Sequence, residues 1–254
     1  MKKMLPDYTF YNELAFDYDD MISFDSAVKN KKKQFENFLI SEMNSAADIG
    51  CGSGADSIAL FSSGLKVTAF DPSSEMLKNA EANSKRMNVK VEFQNYAADN
   101  IPKEFDEKFD LVVLLGNTFA NIPKGKFLNS LQRCYEILRT KGQLLIQVLN
   151  YEKILVDKQR IVNITEKADK CFIRFYDFLD GNIIFNILTF SKVKPSDNKL
   201  ISTKIYPHSV KNFESGLKRA GFKSIQFYSN LELSAFDKER SKDLVIRAIK
   251  TSLK

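Results

Sequence analysis

Cysteine is scarce in this chain. Three residues in 254, with no CxxC pair, cannot build a disulfide framework. An odd number of thiols fits a reducing compartment, so the cytoplasm is the expected location. Glycine (10) and proline (6) are too few for a collagen-like or low-complexity chain. No apolar run approaches the roughly 20 residues that a helical membrane span needs. The start, MKKMLPDYTFYNE, has two lysines but no apolar stretch behind them, so no signal peptide is expected. Histidine occurs once, and no Ser/His/Asp or Cys/His constellation or metal-ligand spacing stands out. No metal is expected.

What is present is ordinary for a globular protein: 44% hydrophobic, 28% charged, net charge +6. That balance excludes a disordered tail. The length predicts one domain, with room for a subdomain, and a core that needs no metal or disulfide staple. The run Lys29-Asn30-Lys31-Lys32-Lys33 reads as a solvated helix face. A nucleic-acid patch would also need exposed aromatics gathered beside it.

Hydrophobic periodicity divides the chain. Residues 1–25 are rich in aromatics and acids: Tyr8, Phe10, Tyr11, Phe16, Tyr18, Phe24. An amphipathic helix is predicted over 30–40. Strands are then predicted at 46–49, 66–70, 89–93, 109–115 and 144–149. Helices are predicted at 55–62, 74–87 (capped by Ser73 or Ser74) and 126–138, the last stopped by Lys141-Gly142. Beyond Asn150 the runs 160–165, 171–178, 183–192 and 200–206 look like strands, with Asp180-Gly181 as a hairpin turn. A helix at 210–220, ended by Gly221, and strands at 224–228 and 243–249 complete the chain. The predicted fold class is α/β. It is a doubly wound, Rossmann-like, mostly parallel seven-stranded sheet with helices on both faces, plus a small antiparallel β insertion. The expected divisions are an aromatic, helical cap (1–40), a cofactor-binding core (41–155), the insertion as a lid or rim (156–206) and completion of the core sheet (207–254).

The sharpest motif is Asp48-Ile49-Gly50-Cys51-Gly52-Ser53-Gly54, at the end of the first core strand. Glycines there allow a tight turn and close approach of a ligand beside an open helix N-terminus. Asp71 ends the next strand, where a carboxylate can accept hydrogen bonds from both ribose hydroxyls. With Ala55 the loop also satisfies the loose dinucleotide pattern GxGxxG/A, which is weak evidence alone. Asp48 argues for another cofactor class. An acid two residues before the first glycine would repel a pyrophosphate, whereas it suits a cationic end such as the amino group of S-adenosylmethionine.

GCGSGADSIAL, VTAFDPSSEMLKNA, the Asn95-Tyr96 pair, LLGNTFA (114–120), NYEKIL (150–155) and Tyr206-Pro207-His208 together carry a resemblance. The chain resembles the class I S-adenosylmethionine-dependent methyltransferases, and among them the glycine N-methyltransferase-like small-molecule enzymes. The likeness covers most of the chain. It implies S-adenosylmethionine as cofactor and S-adenosylhomocysteine as product. It implies that Gly50, Cys51, Gly52 and Asp48 face the methionine part, and that Asp71 and Pro72 lie at the ribose. Met76, Asn95, Tyr96 and Ala97 would surround the adenine. Leu115, Gly116 and Asn117 would line the methyl-facing wall. Tyr11 would close the pocket, and Lys31 would take the cofactor carboxylate.

Each assignment has a plainer alternative. Met76 has the spacing of a core residue. Tyr96 could be a packed strand-end aromatic, and Tyr11 and Tyr18 could be core or interface aromatics. Cys51 reads as small filler, with Cys134 and Cys171 structural. His208 could act as a base or bridge the insertion to the sheet, and the bridge is preferred. Tyr206 and Asn117 are better placed to orient a polar acceptor. One departure stands out. The glycine-methylating relatives have an Arg before the Asn-Tyr pair that binds the substrate carboxylate, and here Leu149 occupies that place. A neutral side chain cannot make a bidentate carboxylate clamp, so glycine is not the expected substrate. The expected partner is a small-molecule acceptor, methylated on nitrogen, with oxygen the other option, by a monomer or homodimer. A nucleic-acid methyltransferase, a non-catalytic cofactor-binding protein and a nicotinamide-dependent oxidoreductase are the competing readings. No base-methylating Asn-Pro-Pro-Tyr motif supports the first of these.

Overall fold

The structure is a computed structural model that describes residues 3–5, 7–179 and 182–251. The apolar runs of the middle of the chain become strands β2 (Ser45–Ile49), β3 (Lys66–Phe70), β4 (Glu92–Gln94), β5 (Phe109–Leu114) and β6 (Leu138–Leu149). With β11 (Ser224–Tyr228) and β12 (Asp243–Ile249) they form a seven-stranded sheet in the order β11-β12-β6-β5-β2-β3-β4. The five strands β2 to β6 run parallel, and β12 is antiparallel to both β6 and β11. β5, FDLVVL, is nearly continuous in apolar residues because it is buried on both faces.

Alternate residues of each strand feed opposite layers. Ala46, Leu111, Val113 and Leu145 pack against helices α2 (Phe24–Phe35) and α3 (Ala55–Ser62). Ala47, Val112, Leu114, Leu144 and Ile146 pack against α5 (Phe127–Ile137) and α7 (Val210–Ala220). Each fully buried large side chain in these layers contributes about 1.5–3 kcal/mol of transfer free energy.

The remaining strands form a second sheet. β7 (Ile161–Lys167), β8 (Lys170–Leu179), β9 (Asn182–Ser191) and β10 (Asn198–Ile205) are an antiparallel meander. The two-residue β1 (Lys3–Met4) adds in parallel beside β10. Between the sheets lies α1 (Asp7–Ile22). Its Phe10, Leu14 and Met21 recur at helical spacing and pack on Phe172, Ile187 and Ile201 of the second sheet. The aromatic N-terminal stretch is thus the filling between two layers. None of the described helices is long and apolar enough to cross a membrane.

Several expectations need correction. The helix predicted at 30–40 starts earlier and ends at Phe35, with Phe38 buried in the turn that follows. The strand predicted at 89–93 pairs only over Glu92–Gln94. Lys141-Gly142 is no helix stop. β6 begins at Leu138 directly after α5, and pairing with β5 jumps from Leu138 to Gln143. Lys141 takes a positive φ of 68° and donates to the Lys250 carbonyl, so the pair is a bulge inside the strand. α4 (Ser74–Arg86) is capped by Ser73, whose hydroxyl accepts the Met76 N–H. A short helix, α6 (Tyr151–Asp157), follows β6 where no element was predicted. Asp180-Gly181 lies outside the described residues, although β8 and β9 pair antiparallel up to Leu179 and Asn182.

Candidate active site

The parallel strands end beneath a cavity of about 560 Å³. β2 leads into a loop in which Gly50, Gly52 and Gly54 all have positive φ (73°, 53° and 89°). The Gly50 and Cys51 N–H groups both donate to the Phe70 carbonyl, which fastens the loop to the end of β3. A Cβ on Gly50 would stand 2.5 Å from Thr118 Cγ2, so the loop after β5 can approach only because the side chain is missing.

Asp71 follows β3 and lines the cavity. Its two carboxylate oxygens accept the N–H groups of Gly52 (2.9 Å) and Ser73 (2.8 Å). Burial pushes its pKa up to about 6 against the pull of those two donors. The Asn95 amide donates to the Asp71 carbonyl at 2.9 Å, bringing the end of β4 to the same rim. Asn95, Pro72, Ala97, Cys51, Leu115 and Gly116 all line the cavity. Lys31 reaches it from α2, ion-paired to Asp56 at 3.2 Å and hydrogen-bonded to Gln147 at 3.4 Å. Tyr11 and Tyr18 close it from α1. Burial pushes both phenols far up, with Tyr18 and Asp71 adding to it at Tyr11 and Asp56 and Asp71 adding to it at Tyr18, so both stay protonated.

Three expected cofactor residues lie elsewhere. Asp48 is 1% exposed beneath the loop and accepts the Ser57 hydroxyl at 2.5 Å. Burial first, then the charge of Asp56, pushes its pKa up to about 8. Met76 is also 1% exposed and belongs to the core around Phe10 and Leu14. Tyr96 packs against the α5/α7 layer. Neither Met76 nor Tyr96 is among the residues that line the cavity.

A smaller cavity adjoins the first. The two share Tyr11, Tyr18, Ile22, Gly116 and Asn121. Its far wall comes from the second sheet, including Arg174 and Tyr176, with Asn117 and Leu149 at the strand ends. The Asn117 side chain ties that wall together. It donates to the Tyr151 hydroxyl at 2.7 Å and accepts the Leu149 N–H at 3.1 Å. Of the other expected catalytic residues, Tyr206 fixes its backbone on Ala120, and its ring lies 5.5 Å from the Lys204 ammonium. His208 stacks on Phe127 with ring centroids 4.1 Å apart. Burial and the nearby Lys124 charge push it down to about 4, while a hydrogen bond to the Ile122 backbone opposes them. Neither Tyr206 nor His208 lines either cavity. His208 bridges the segment after β10 to the loop after β5, as a packed neutral ring.

Sequence reading missed Asp56, Asp99, Asn121, Arg174 and Tyr176. Asp99 also lines the larger cavity and pairs with Lys126 at 3.2 Å. Asp99 lies in the loop after β4, where no local pattern marks it. For Arg174 and Tyr176 the available signal was period-2 spacing along β8.

The lining is rich in carboxylates, and its lysines are each matched by an acid. Such a surface suits a ligand with hydroxyls and a positive charge, and opposes a pyrophosphate. A volume of about 560 Å³ lies in the range of small-molecule and cofactor sites. Residues 46–142 match the methyltransferase domain family. This stretch is similar to a methyltransferase domain, and it holds the glycine loop and Asp71. The chain is 31% identical over 122 residues to glycine N-methyltransferase of Oryctolagus cuniculus, covering 42% of this chain and 41% of that protein. The chain therefore spans about two fifths of that relative's length. It is 26% identical over 186 residues to glycine/sarcosine N-methyltransferase of Halorhodospira halochloris, covering 66% of this chain and 68% of the relative. The fold is similar to that of an S-adenosylmethionine-dependent methyltransferase from Clostridium acetobutylicum ATCC 824. The TM-score is 0.74 at 17% identity, with 95% of this chain and 99% of that one covered. The methyltransferase domain supplies the glycine loop, Asp71 and Asn117, whereas Leu149, Arg174 and Tyr176 lie beyond the matched residues.

Proposed function

We propose that this protein is an S-adenosylmethionine-dependent methyltransferase acting on a small-molecule acceptor, with nitrogen the favoured acceptor atom. The observation that carries this reading is the cavity itself. One carboxylate at the end of β3, a glycine loop at the end of β2 and two tyrosines of α1 face the same space. Asp71 would hold the ribose hydroxyls. Asn95, Ala97 and Pro72 would line the adenosine. The glycine loop and Lys31 would meet the methionine end, and Leu115 and Gly116 would border the methyl-facing side. When bound, the cofactor supplies an electrophilic methyl group on a sulfonium.

The residues of the chain contribute position and dryness. Tyr11 and Tyr18 lie against both cavities and screen the space between them from water. Among the described residues, Cys51 is the thiol that lines the larger cavity. Burial, with Asp71 and Asp48 nearby, pushes the Cys51 thiol well up, so it stays protonated. The reading is therefore direct in-line displacement by the acceptor, without an enzyme-bound intermediate. Leu149 leaves the end of β6 without the carboxylate clamp that the glycine-methylating relatives have there, which favours an acceptor held in another way. Paired Lys31 and Lys126 give the cavity no open basic track for a nucleic acid.

Calorimetry with S-adenosylmethionine, S-adenosylhomocysteine and NAD tests the cofactor. The first two are expected to bind and NAD is not. Preference for NAD overturns the reading. Methyl transfer to an amine and hydroxyl panel tests the activity, and robust turnover of glycine or sarcosine removes the exclusion of glycine.

A further inference from the structure

The smaller cavity contains a cation that this mechanism leaves unused. Side chains along β8 alternate between faces. Phe172 and Tyr176, 0% and 3% exposed, mark the inward face, and Arg174 stands between them on the same side. Strand register sets Asn163 of β7 and Ile187 of β9 on either side of it. The Arg174 Nε donates to Asn163 Oδ1 at 2.5 Å. Among the described residues, no carboxylate forms an ion pair with the guanidinium. The titratable groups that face it are the phenols of Tyr18 and Tyr176. Its other neighbours in the cavity include Phe185 and Ile187.

A half-buried cation on an apolar face is costly unless an opposite charge meets it. Asn163 fixes one edge of the fork and leaves the two terminal nitrogens for a planar or tetrahedral anion, the geometry in which arginine binds best. The cavity also contains Gly116 and Asn117, so a group held there lies beside the methyl-facing wall.

We propose that Arg174 is an acceptor-binding residue and that the methylated small molecule carries an anionic group, a carboxylate or a phosphate, which Arg174 receives. The charge is then read from the middle of β8 and not from the end of β6, where Leu149 stands. The proposal rests on the methyltransferase reading and names its substrate class.

The test uses the full chain saturated with S-adenosylhomocysteine and titrated by calorimetry in chloride-free buffer. The probes are acetate, inorganic phosphate and acetamide. At least one anion is expected to bind tenfold or more tightly than acetamide, and the tighter anion identifies the group. Arg174→Gln should lose at least tenfold of that affinity while S-adenosylhomocysteine binds within twofold of wild type. Arg174→Lys should recover part of the loss. Acetamide binding as well as the anions overturns the proposal. So does anion affinity unchanged in Arg174→Gln, or no anion binding to a complex that has formed. If Arg174→Gln does not fold, the wild-type preference for anion over amide decides. Failure of S-adenosylhomocysteine to bind at all is a different result, and it removes the methyltransferase reading together with this one.

Discussion

Asp71 and Asp48 sit at the ends of adjacent strands, and their surroundings give them different work. Asp71 meets the cavity and is held by two backbone donors. Asp71→Ala should weaken S-adenosylmethionine binding by roughly 1.5–3 kcal/mol for each charge-assisted hydrogen bond lost. Calorimetry reads this directly, and unchanged affinity would put the ribose elsewhere. Because its pKa lies near 6, cofactor affinity should also fall as pH drops through that value. Asp48 is a buried acid pushed up to about 8. Its folded pKa lies above the ordinary unfolded value of about 3.9. The native state therefore binds more protons between about pH 4 and 8, and stability falls as pH rises across that window. Asp48→Asn keeps an acceptor for Ser57 and removes the titration. Its cofactor-free form should melt above wild type at pH 8, by about 2–4 °C per kcal/mol relieved, with the gap closing toward pH 4. A lower melting temperature at both values would contradict this.

Glycines with positive φ and an acid at a strand end announce themselves, because few other roles need them there. Met76 did not, since the same face of α4 serves a core or a cofactor equally well. Arg174 was hidden for another reason. A charged residue alternating with aromatics in a strand normally points outward, and only the packing of α1 against the second sheet makes this face an inside one.

At the scale of elements, the parallel strands were legible because each is a short apolar run between turn residues. The ends of helices were less so. α2 ends at Phe35 although Phe38 and Leu39 continue the apolar spacing, because the chain turns to enter β2. The β6 bulge is not legible because Lys141-Gly142 has the composition of a helix stop. α7 is the counterexample, with both ends written in sequence. Ser209 Oγ accepts the Asn212 N–H at 3.1 Å, Asn212 Oδ1 accepts the Ser209 N–H at 3.0 Å, and Gly221 takes the left-handed end. Ser209→Ala should destabilise the protein by about 1 kcal/mol in urea unfolding, with cofactor affinity unaltered. α7 packs on α5 and lines neither cavity, so a change in affinity would mean that the two layers are coupled.

At the scale of the molecule, the site is a space between two sheets with α1 as one of its walls. Tyr11 and Tyr18 belong to that helix and face both cavities. Adding S-adenosylhomocysteine should slow amide hydrogen exchange across residues 7–22 more than across α7. Equal protection of both, or of neither, would show that α1 does not respond to the ligand. This architecture was only partly legible. The core sheet follows from alternation of strands and helices, but the position of the second sheet depends on long-range packing that no local pattern encodes.

Leu5 donates to the Ser202 carbonyl at 2.8 Å, and β1 lies beside β10, so the first strand of the chain waits for one of the last. During synthesis, the apolar side of the helix bearing Phe10, Leu14 and Met21 emerges long before Ile187 and Ile201 exist to cover it. At translation rates of about 5–20 residues per second, that delay is on the order of ten seconds or more. The greasy side of that helix therefore stays without its permanent roof until the last strands of the second sheet have been made.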